Sequence, residues 1–476
     1  MTNVGIKDLT ESQEKAFEGL TEFLARPITE DVNSRVAVLV GKAGTGKTTL
    51  IRLILSDLLE ADENLGAGFS FLGQGSSVFG VTLAHKAKNV LNKSLPNVNT
   101  FASYFGLKEH YEPSGKLTFI RDEFKAARSD SRTSHKVAVH DECSMYDDDM
   151  IEMVLKETNP YVKIIFMGDY HQIPPITNDG DSDSSVFTRF ENIYYLKERV
   201  RQTKGNPIID LSDIIAEQIT RVLGPGEFDD RLAIVLNAIK IDTLEDGKGF
   251  QTIKYKEFLE HYKSSSDNYL DSKVVAYRRA KVDAFNSEIR NYIYDHPVEP
   301  FIPGEIIYMN DTYYESDSVT NRIKYVCYNS DEYLVDDVVL GEPKFDVDCN
   351  LLYVDKGNHT HLIGIDNPFI RVVAPRGNVK FKEISKTRKS AAINEKSSKK
   401  KSTRWKYFYD FVNTFGNVSY GYCYTAHKSQ GSTFRNVYVD INDILSVGPI
   451  TTKRKLQAIY TAITRASHNV IFLKSN

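Results

Sequence analysis

A parallel-sheet α/β fold built around a phosphate-binding loop is the class this sequence predicts, and three observations carry it. The first is Gly41-Lys42-Ala43-Gly44-Thr45-Gly46-Lys47-Thr48, which fits G-x-x-x-x-G-K-[ST]. It lies between an apolar run, Val36 to Val40, and a helical pattern from Thr49 to Leu59. That is the strand–loop–helix setting a P-loop needs. The second is a pair of apolar runs ending in acids: Lys136 to Glu142, closing on Asp141-Glu142, and Val162 to Asp169. The third is a later cluster of strand-like runs, Lys273 to Tyr277, Val418 to Thr425, Val437 to Ile441 and Val470 to Leu473, with no second P-loop. The second half is therefore expected to supply residues to the nucleotide held by the first.

Taken in order, Leu9-Thr10-Glu11-Ser12-Gln13 opens a helix, with Thr10 as N-cap and Gln13 at the capping-box position. The Gln13 amide, both donor and acceptor, also matches an adenine edge. In the P-loop, backbone N–H groups from Gly41, Ala43, Gly44, Thr45, Gly46, Thr48 and Thr49 are expected around the phosphates, assisted by the helix dipole. Lys47 is expected to reach the β- and γ-phosphates and Thr48 to hold Mg²⁺. Val81 to Ala84 reads as a strand running into His85-Lys86 and a helix through Leu91, and Thr100-Phe101-Ala102-Ser103 begins another short helix. Tyr111 to Phe119 reads as a hairpin turning at Pro113-Ser114-Gly115.

Asp141 and Glu142, at a strand end downstream of the P-loop, suit a Mg²⁺-shell carboxylate and a base that polarises the attacking water. His140, directly before them, has no assigned role. The next strand ends in Gly168-Asp169-Tyr170-His171-Gln172-Ile173-Pro174-Pro175, where Gln172 is placed to orient water or sense the γ-phosphate. After Ile193 to Leu196 come Arg199, Arg201 and Gln202, and Arg465 on a late helix is an arginine-finger candidate. The helix around Asn286 and Arg290 is amphipathic through Val282, Phe285 and Ile289. Between about Pro300 and Phe381 short Tyr/Val/Ile-rich runs predict a small inserted β-barrel. Its lysine-rich exit, Thr387 to Ser402, is expected to be mobile, because few apolar residues are available to anchor it.

Composition narrows the class without naming it. Hydrophobic residues make up 41% and charged residues 26%, and no apolar run reaches the length of a membrane span. Met1 to Leu9 lacks the pattern of a signal peptide. Cys143, Cys327, Cys349 and Cys423 form no C-x-x-C pair, so a zinc site or disulfide framework is not expected and a cytoplasmic setting is. The net charge of −4 means that a polyanion is met in local grooves, with no help from a global field.

The ordered motifs resemble those of superfamily 1 helicases of the RecD-like 5′–3′ branch, in particular its Dda-type members. The matching series is Leu9-Thr10-x-x-Gln13, Gly41 to Thr48, Asp141-Glu142-Cys143-Ser144-Met145-Tyr146-Asp147 and Gly168-Asp169-x-x-Gln172-Ile173-Pro174. It continues through Arg201, Ala276-Tyr277 with Asn286 and Arg290, Phe301-x-x-Gly304-Glu305, His427-Lys428-x-Gln430-Gly431, and Tyr460 with Thr464-Arg465. The resemblance implies two RecA-like lobes: lobe 1 over 1–84 and 122–190, with an 85–121 insertion carrying a strand-separating pin, and lobe 2 over 191–299 and 407–476. It also implies an SH3-like insertion at 300–406. ATP and Mg²⁺ are the implied cofactors, single-stranded DNA and single-/double-strand junctions the implied partners, and replisome or single-strand-binding proteins further ones, for a monomeric enzyme of phage replication or recombination.

By the same resemblance, Gln13 reads adenine, Arg201 and Arg465 meet the γ-phosphate from the other lobe, Gln172 couples nucleotide to DNA, and Gly431 lies at the nucleotide. His85, Lys86, Thr100, Phe101, Pro174, Asn286, Thr425, His427 and Lys428 line the DNA track, and Tyr111, Leu117 and Phe119 belong to the pin. Two departures stand out. Leu83-Ala84-His85 replaces the usual Pro-Thr-His, and Ala102 replaces the histidine that follows the Thr100 position. Both predict a weaker grip on DNA by the first lobe, or a substitute contact nearby. A P-loop ATPase that remodels nucleoprotein without unwinding is the alternative reading.

Overall fold

The strand before the P-loop, β1 (Val36–Gly41), is buried at all six positions, so its whole apolar run packs on both faces. In the computed structural model it sits inside a six-stranded sheet ordered β3-β2-β6-β7-β1-β8. The others are β2 (Val78–Thr82), β3 (Val98–Thr100), β6 (Val137–His140), β7 (Lys163–Gly168) and β8 (Ile193–Leu196). Every pairing is parallel; Val38, for example, lies opposite Phe166 on one side and Ile193 on the other. The structure describes residues 9–56, 58–60, 77–83, 85–95, 97–112, 114, 117–121, 136–175, 183–200, 206–245, 247–264, 271–316, 323–357, 362, 365–448 and 450–474.

A second six-stranded sheet, ordered β19-β11-β20-β21-β10-β9, uses β9 (Thr243–Glu245), β10 (Lys248–Lys254), β11 (Ser272–Ala276), β19 (Cys423–Thr425), β20 (Phe434–Asp440) and β21 (Ala466–Lys474). The expected α/β class with parallel sheets is the class observed. Both sheets belong to one compact unit, made of Met1–Gly106, Glu123–Lys281 and Tyr424–Asn476. Since β3 and the helix Phe101–Tyr104 join the first sheet, residues 85–106 lie with that sheet and not with the insertion expected at 85–121.

The other unit is Leu107–Asp122 with Val282–Cys423. It contains the hairpin β4 (Leu107–Tyr111) and β5 (Leu117–Arg121), with Tyr111 opposite Leu117 and Glu109 opposite Phe119. Its main sheet is antiparallel, ordered β17-β16-β15-β12-β18, from β12 (Ile306–Met309), β15 (Glu332–Lys344), β16 (Val347–Val354), β17 (Phe369–Val373) and β18 (Val418–Tyr420). A separate ribbon pairs β13 (Tyr313–Ser316) with β14 (Ile323–Cys327).

Three local expectations change. The P-loop helix runs Lys47–Ile54 and is interrupted at Leu55, after which residues 56 and 58–60 are helical again, with Leu59 N donating to Leu55 O at 3.0 Å. The run Val418 to Thr425 is two strands in two different sheets, because the chain switches sheets at Gly421-Tyr422. The lysine-rich exit is a helical hairpin, Asn378–Asn394 and Ser398–Val412, and a domain boundary at 407 would cut its second helix. Few apolar residues suffice because they converge: Phe411 and Phe415 are buried with Val347 and Cys349, and Phe381, Ile384 and Val412 pack around them. Each such side chain contributes about 1.5–3 kcal/mol when fully buried, enough to order a segment whose exposed side is rich in lysine.

Candidate nucleotide site and nucleic-acid track

At the C-terminal end of β1 the chain makes its phosphate loop. A Cβ on Gly41 would lie 2.5 Å from Thr45 Oγ1, and Gly44 and Gly46 take φ of +84° and +80°, a region only glycine enters freely. Gly46 is the N-cap of the helix Lys47–Ile54 and no side chain caps that end, so its first N–H groups are available to an anion. Thr45, fully buried, braces the loop by donating to Lys42 O at 3.0 Å. Lys47 Nζ donates to Gly41 O at 2.6 Å and Lys42 O at 3.2 Å.

Gln13 is more committed than its sequence position suggests. Its Oε1 accepts from Thr10 N at 3.0 Å, closing the capping box, and its Nε2 donates to Thr45 O at 3.0 Å. The amide therefore ties the first helix to the phosphate loop, and pairing with adenine requires an exchange of these bonds. A second brace was not legible in sequence. Asp213 Oδ1 accepts from Lys42 Nζ at 2.6 Å and from Arg199 Nη2 at 3.0 Å. Val200 N donates to Gly44 O at 3.0 Å, which brings the segment after β8 onto the loop. Arg201 lies outside the described residues.

The acids follow β6. Glu142 has φ +56°, a left-handed conformation rare for a side-chain-bearing residue, which costs on the order of 1–3 kcal/mol and clusters at functional sites. Burial and the neighbouring Asp141 raise the Glu142 carboxyl to about 7, against the pull of Arg465 and Lys47. Burial also raises Asp141, with Lys47 and the Glu142 N–H opposing it. Asp169 goes the other way: burial would raise it, but His171, which donates from its backbone and pairs through Nδ1, and Lys47 bring it to about 2. One lysine thus stands among three carboxylates of unequal basicity, with Glu142 the one poised to accept a proton near neutrality.

The second sheet reaches this cluster. Tyr460 Oη donates to Asp169 Oδ2 at 2.9 Å. Arg465, 5% exposed, is held by Thr461 O, Ser432 O and Thr464 Oγ1, and its charge acts on Glu142 and Asp169. Thr461 Oγ1 accepts from Ile173 N at 3.0 Å, and Gln430 Nε2 donates to Ile173 O at 3.0 Å while facing Gln172 Oε1 at 3.5 Å. Away from the acids, Lys453 Nζ meets Tyr170 Oη at 2.6 Å and Asp183 at 2.5 Å. Gly431, with φ +70°, lies against Ala87. His140 is the buried oddity: burial lowers its ring to about 3, so it is neutral, and Nδ1 meets Tyr146 Oη at 3.2 Å beneath the acids.

For Mg²⁺ the donors are one carboxylate and one hydroxyl. Asp141 carries a charge that burial disfavours, and Thr48 is half-buried one residue after Lys47. Among the described residues no cluster of three or more His, Cys, Asp or Glu forms a closed cage. Mg²⁺ commonly takes one or two carboxylates and completes its shell with phosphate and water, so the pair fits it.

The expected nucleic-acid contacts divide. His85 and Lys428 are half-buried, as are Thr425 and His427; Thr425 Oγ1 accepts from Lys428 N at 3.2 Å, and burial, then Arg454, lowers His427 to about 4. Lys86 lies in the helix His85–Leu91, but its side chain is outside the described residues, as are those of Tyr111, Leu117 and Phe119 and the turn residues Pro113 and Gly115. Three residues are already engaged within the protein. Phe101 is a core aromatic, 6% exposed and packed on Phe105 and edge-on to Tyr146, so it offers no face to a base. Thr100 is the N-cap of its short helix, with Oγ1 accepting from Ser103 N. Asn286 is 3% exposed, and its Oδ1 accepts from Tyr422 N and Cys423 N where the chain changes sheets. Pro174 is also buried.

Known proteins match the same stretches. The AAA domain model matches residues 23–228, and the UvrD-like helicase C-terminal domain model matches residues 420–473. Together they take in more than half of the chain, one over each sheet's motifs. The chain thus matches an AAA domain and a UvrD-like helicase C-terminal domain, in the order that the superfamily 1 resemblance implies. Among its relatives is the ATP-dependent DNA helicase Dda of enterobacteria phage T4, 25% identical over 66% of this chain and 64% of that protein. The RecBCD enzyme subunit RecD of Buchnera aphidicola is 24% identical, over 93% of this chain and 72% of its own length. An uncharacterized protein, R530, of Acanthamoeba polyphaga mimivirus is 24% identical over 96% of this chain and 99% of that protein. Among solved structures, the Pif1 helicase from Bacteroides in complex with ADP-AlF3 and ssDNA aligns with a TM-score of 0.48 and 16% identity, covering 97% of this chain and 92% of that one.

Proposed function

We propose that this chain is a superfamily 1 ATP-dependent DNA helicase that moves 5′→3′ on single-stranded DNA and unwinds duplex. The observation that carries the reading is Arg465, from the second sheet's unit of sequence, set beside Glu142 and Asp169 at the ends of the first sheet's strands. ATP hydrolysis then needs few parts. The phosphate loop and Lys47 hold the phosphates. Glu142 takes the proton as water oxygen bonds to the γ-phosphorus and the bond to the β–γ bridging oxygen breaks. Arg465, with Arg201 assigned the same task, stabilises charge on the transferred group. Mg²⁺ would be held by Thr48 and Asp141, and would supply charge neutralisation on the phosphates.

Transmission follows from the ties across the two sheets. Asp169–Tyr460 and Ile173–Thr461 connect the γ-phosphate side of the first sheet to the helix Thr452–Ile463, and Arg465 lies just past the end of that helix, not on it as expected. Gain or loss of the γ-phosphate shifts the balance of these bonds, and alternate gripping of one strand converts that shift into a step. His85, Lys86, Thr425, His427 and Lys428 are assigned to the grip, and the β4–β5 hairpin to strand separation. The test is unwinding of 5′-tailed against 3′-tailed duplexes, with and without ATP. ATP-dependent separation of the 5′-tailed substrate alone supports the reading. Strand-stimulated ATPase with no separation of either would favour the nucleoprotein-remodelling ATPase instead.

A further inference from the structure

We propose that the lysine-rich helical hairpin, Asn378–Asn394 and Ser398–Val412, is a docking surface for the phosphate backbone of duplex DNA. The proposal rests on the DNA-helicase reading and assigns a contact outside the motifs that define it. Between Asn378 and Val412 the sequence places eleven Lys or Arg against three Asp or Glu, in a chain whose total charge is −4. Lys382, Lys386, Lys389, Lys396 and Lys399 are all exposed, and among the described residues none of them forms an ion pair. The arginines are already employed: Arg404 pairs with Glu395, and Arg388 donates to Tyr407 O while lying over the Phe411 ring. What remains free is lysine, a mobile point charge suited to phosphate and indifferent to sequence.

The charges are presented on a fixed scaffold. Lys382, Lys386 and Lys389 are spaced four and three apart on one helix, so they fall on one face over about 10 Å. Phe381, Phe411 and Phe415 pin the two helices to the β16 side of the antiparallel sheet. Like charges at these spacings oppose the helix, and a face that only meets solvent commonly interleaves both signs; here no acid is interleaved among the three lysines except Glu383, which pairs with Lys380.

Duplex is favoured over single strand by what the hairpin lacks. Sequence-blind grips on single strands add aromatic platforms for base stacking, whereas the hairpin's Trp405 and Phe411 are buried and Tyr407 is its one large exposed aromatic. Duplex offers a denser, regular charge array, about one charge per 1.7 Å of axis. In the same unit, the second helix of the hairpin runs beside β4 of the hairpin assigned to strand separation.

The test compares the wild-type full chain with a variant carrying Gln at Lys382, Lys386, Lys389, Lys396 and Lys399, and a second with Arg at the same five. Gln keeps helix propensity close to Lys. Binding of a labelled 5′-tailed fork, and of its tail oligonucleotide alone, is followed by fluorescence anisotropy across a NaCl series. For the fork, the slope of log K against log salt should fall by about 0.9 per lost contact, hence about 3–4 in the Gln variant if most lysines engage. Affinity for the tail and tail-stimulated ATPase should stay unchanged, and the Arg variant should behave as wild type. An unchanged fork slope, or an equal loss on the tail, overturns the docking surface. Wild-type protein that fails to unwind any tailed duplex while binding the fork overturns the helicase reading instead, so the two failures are distinguishable.

Discussion

Glu142 makes the sharpest prediction, because its carboxyl titrates where the enzyme works. With its carboxyl near 7 in the folded protein, the base is protonated below that pH and cannot take the proton of the attacking water. The sign is therefore fixed: turnover rises as pH increases through 7. About one-eleventh of the base is ionised at pH 6 and about ten-elevenths at pH 8, so kcat/KM for DNA-stimulated hydrolysis should climb about tenfold between them. The assay is steady-state phosphate release with saturating single-stranded oligonucleotide at constant ionic strength; kcat/KM reports the free enzyme. Glu142→Gln should still bind ATP, lose about 10²–10⁴ in rate, and lose the acid limb with it. Arg465→Gln removes a charge that pulls Glu142 down, so its limb should move to higher pH. A profile flat from pH 6 to 8, or a Glu142→Gln enzyme with the same limb, would refute Glu142 as the base.

Four further outcomes follow. Lys47→Ala, which removes the cation standing among Asp141, Glu142 and Asp169, should cut turnover by at least about 10²-fold; phosphate release at wild-type rate would be the contrary result. Tyr460→Phe deletes one bond to buried Asp169; a charge-assisted bond is worth about 1.5–3 kcal/mol, to be read in urea unfolding, and no change would mean the contact carries nothing. Asn286→Ala leaves the Tyr422 and Cys423 N–H groups without their acceptor, for a loss of about 2–5 kcal/mol. Were Asn286 a DNA contact instead, the variant would keep its unfolding midpoint and lose oligonucleotide affinity. Replacing the hairpin tip around Ser114 with glycine should abolish strand separation while sparing strand-stimulated ATPase, and intact unwinding would remove the pin assignment.

The phosphate loop, the acids after β6 and the late arginine were legible because each is a short-range pattern. A loop that must wrap phosphate needs its glycines within eight positions, and a buried parallel strand announces itself by an unbroken apolar run. The tertiary structure decided what depended on distant partners. Phe101 and Asn286 sit at positions the family resemblance assigns to DNA, yet one is buried against Tyr146 and the other is spent on two backbone N–H groups some 136 and 137 residues away. The lysine-rich exit read as a mobile tail because its few apolar residues lie helical turns apart, and the residues that bury them, Val347 and Cys349, belong to a strand some thirty residues or more upstream. Sequence by itself thus determined the two-sheet α/β class, the nucleotide chemistry and the ordered motifs. Only the folded chain decided which polar and aromatic side chains were left free for that chemistry, because burial and hydrogen-bond partners are set by packing between segments far apart in the chain.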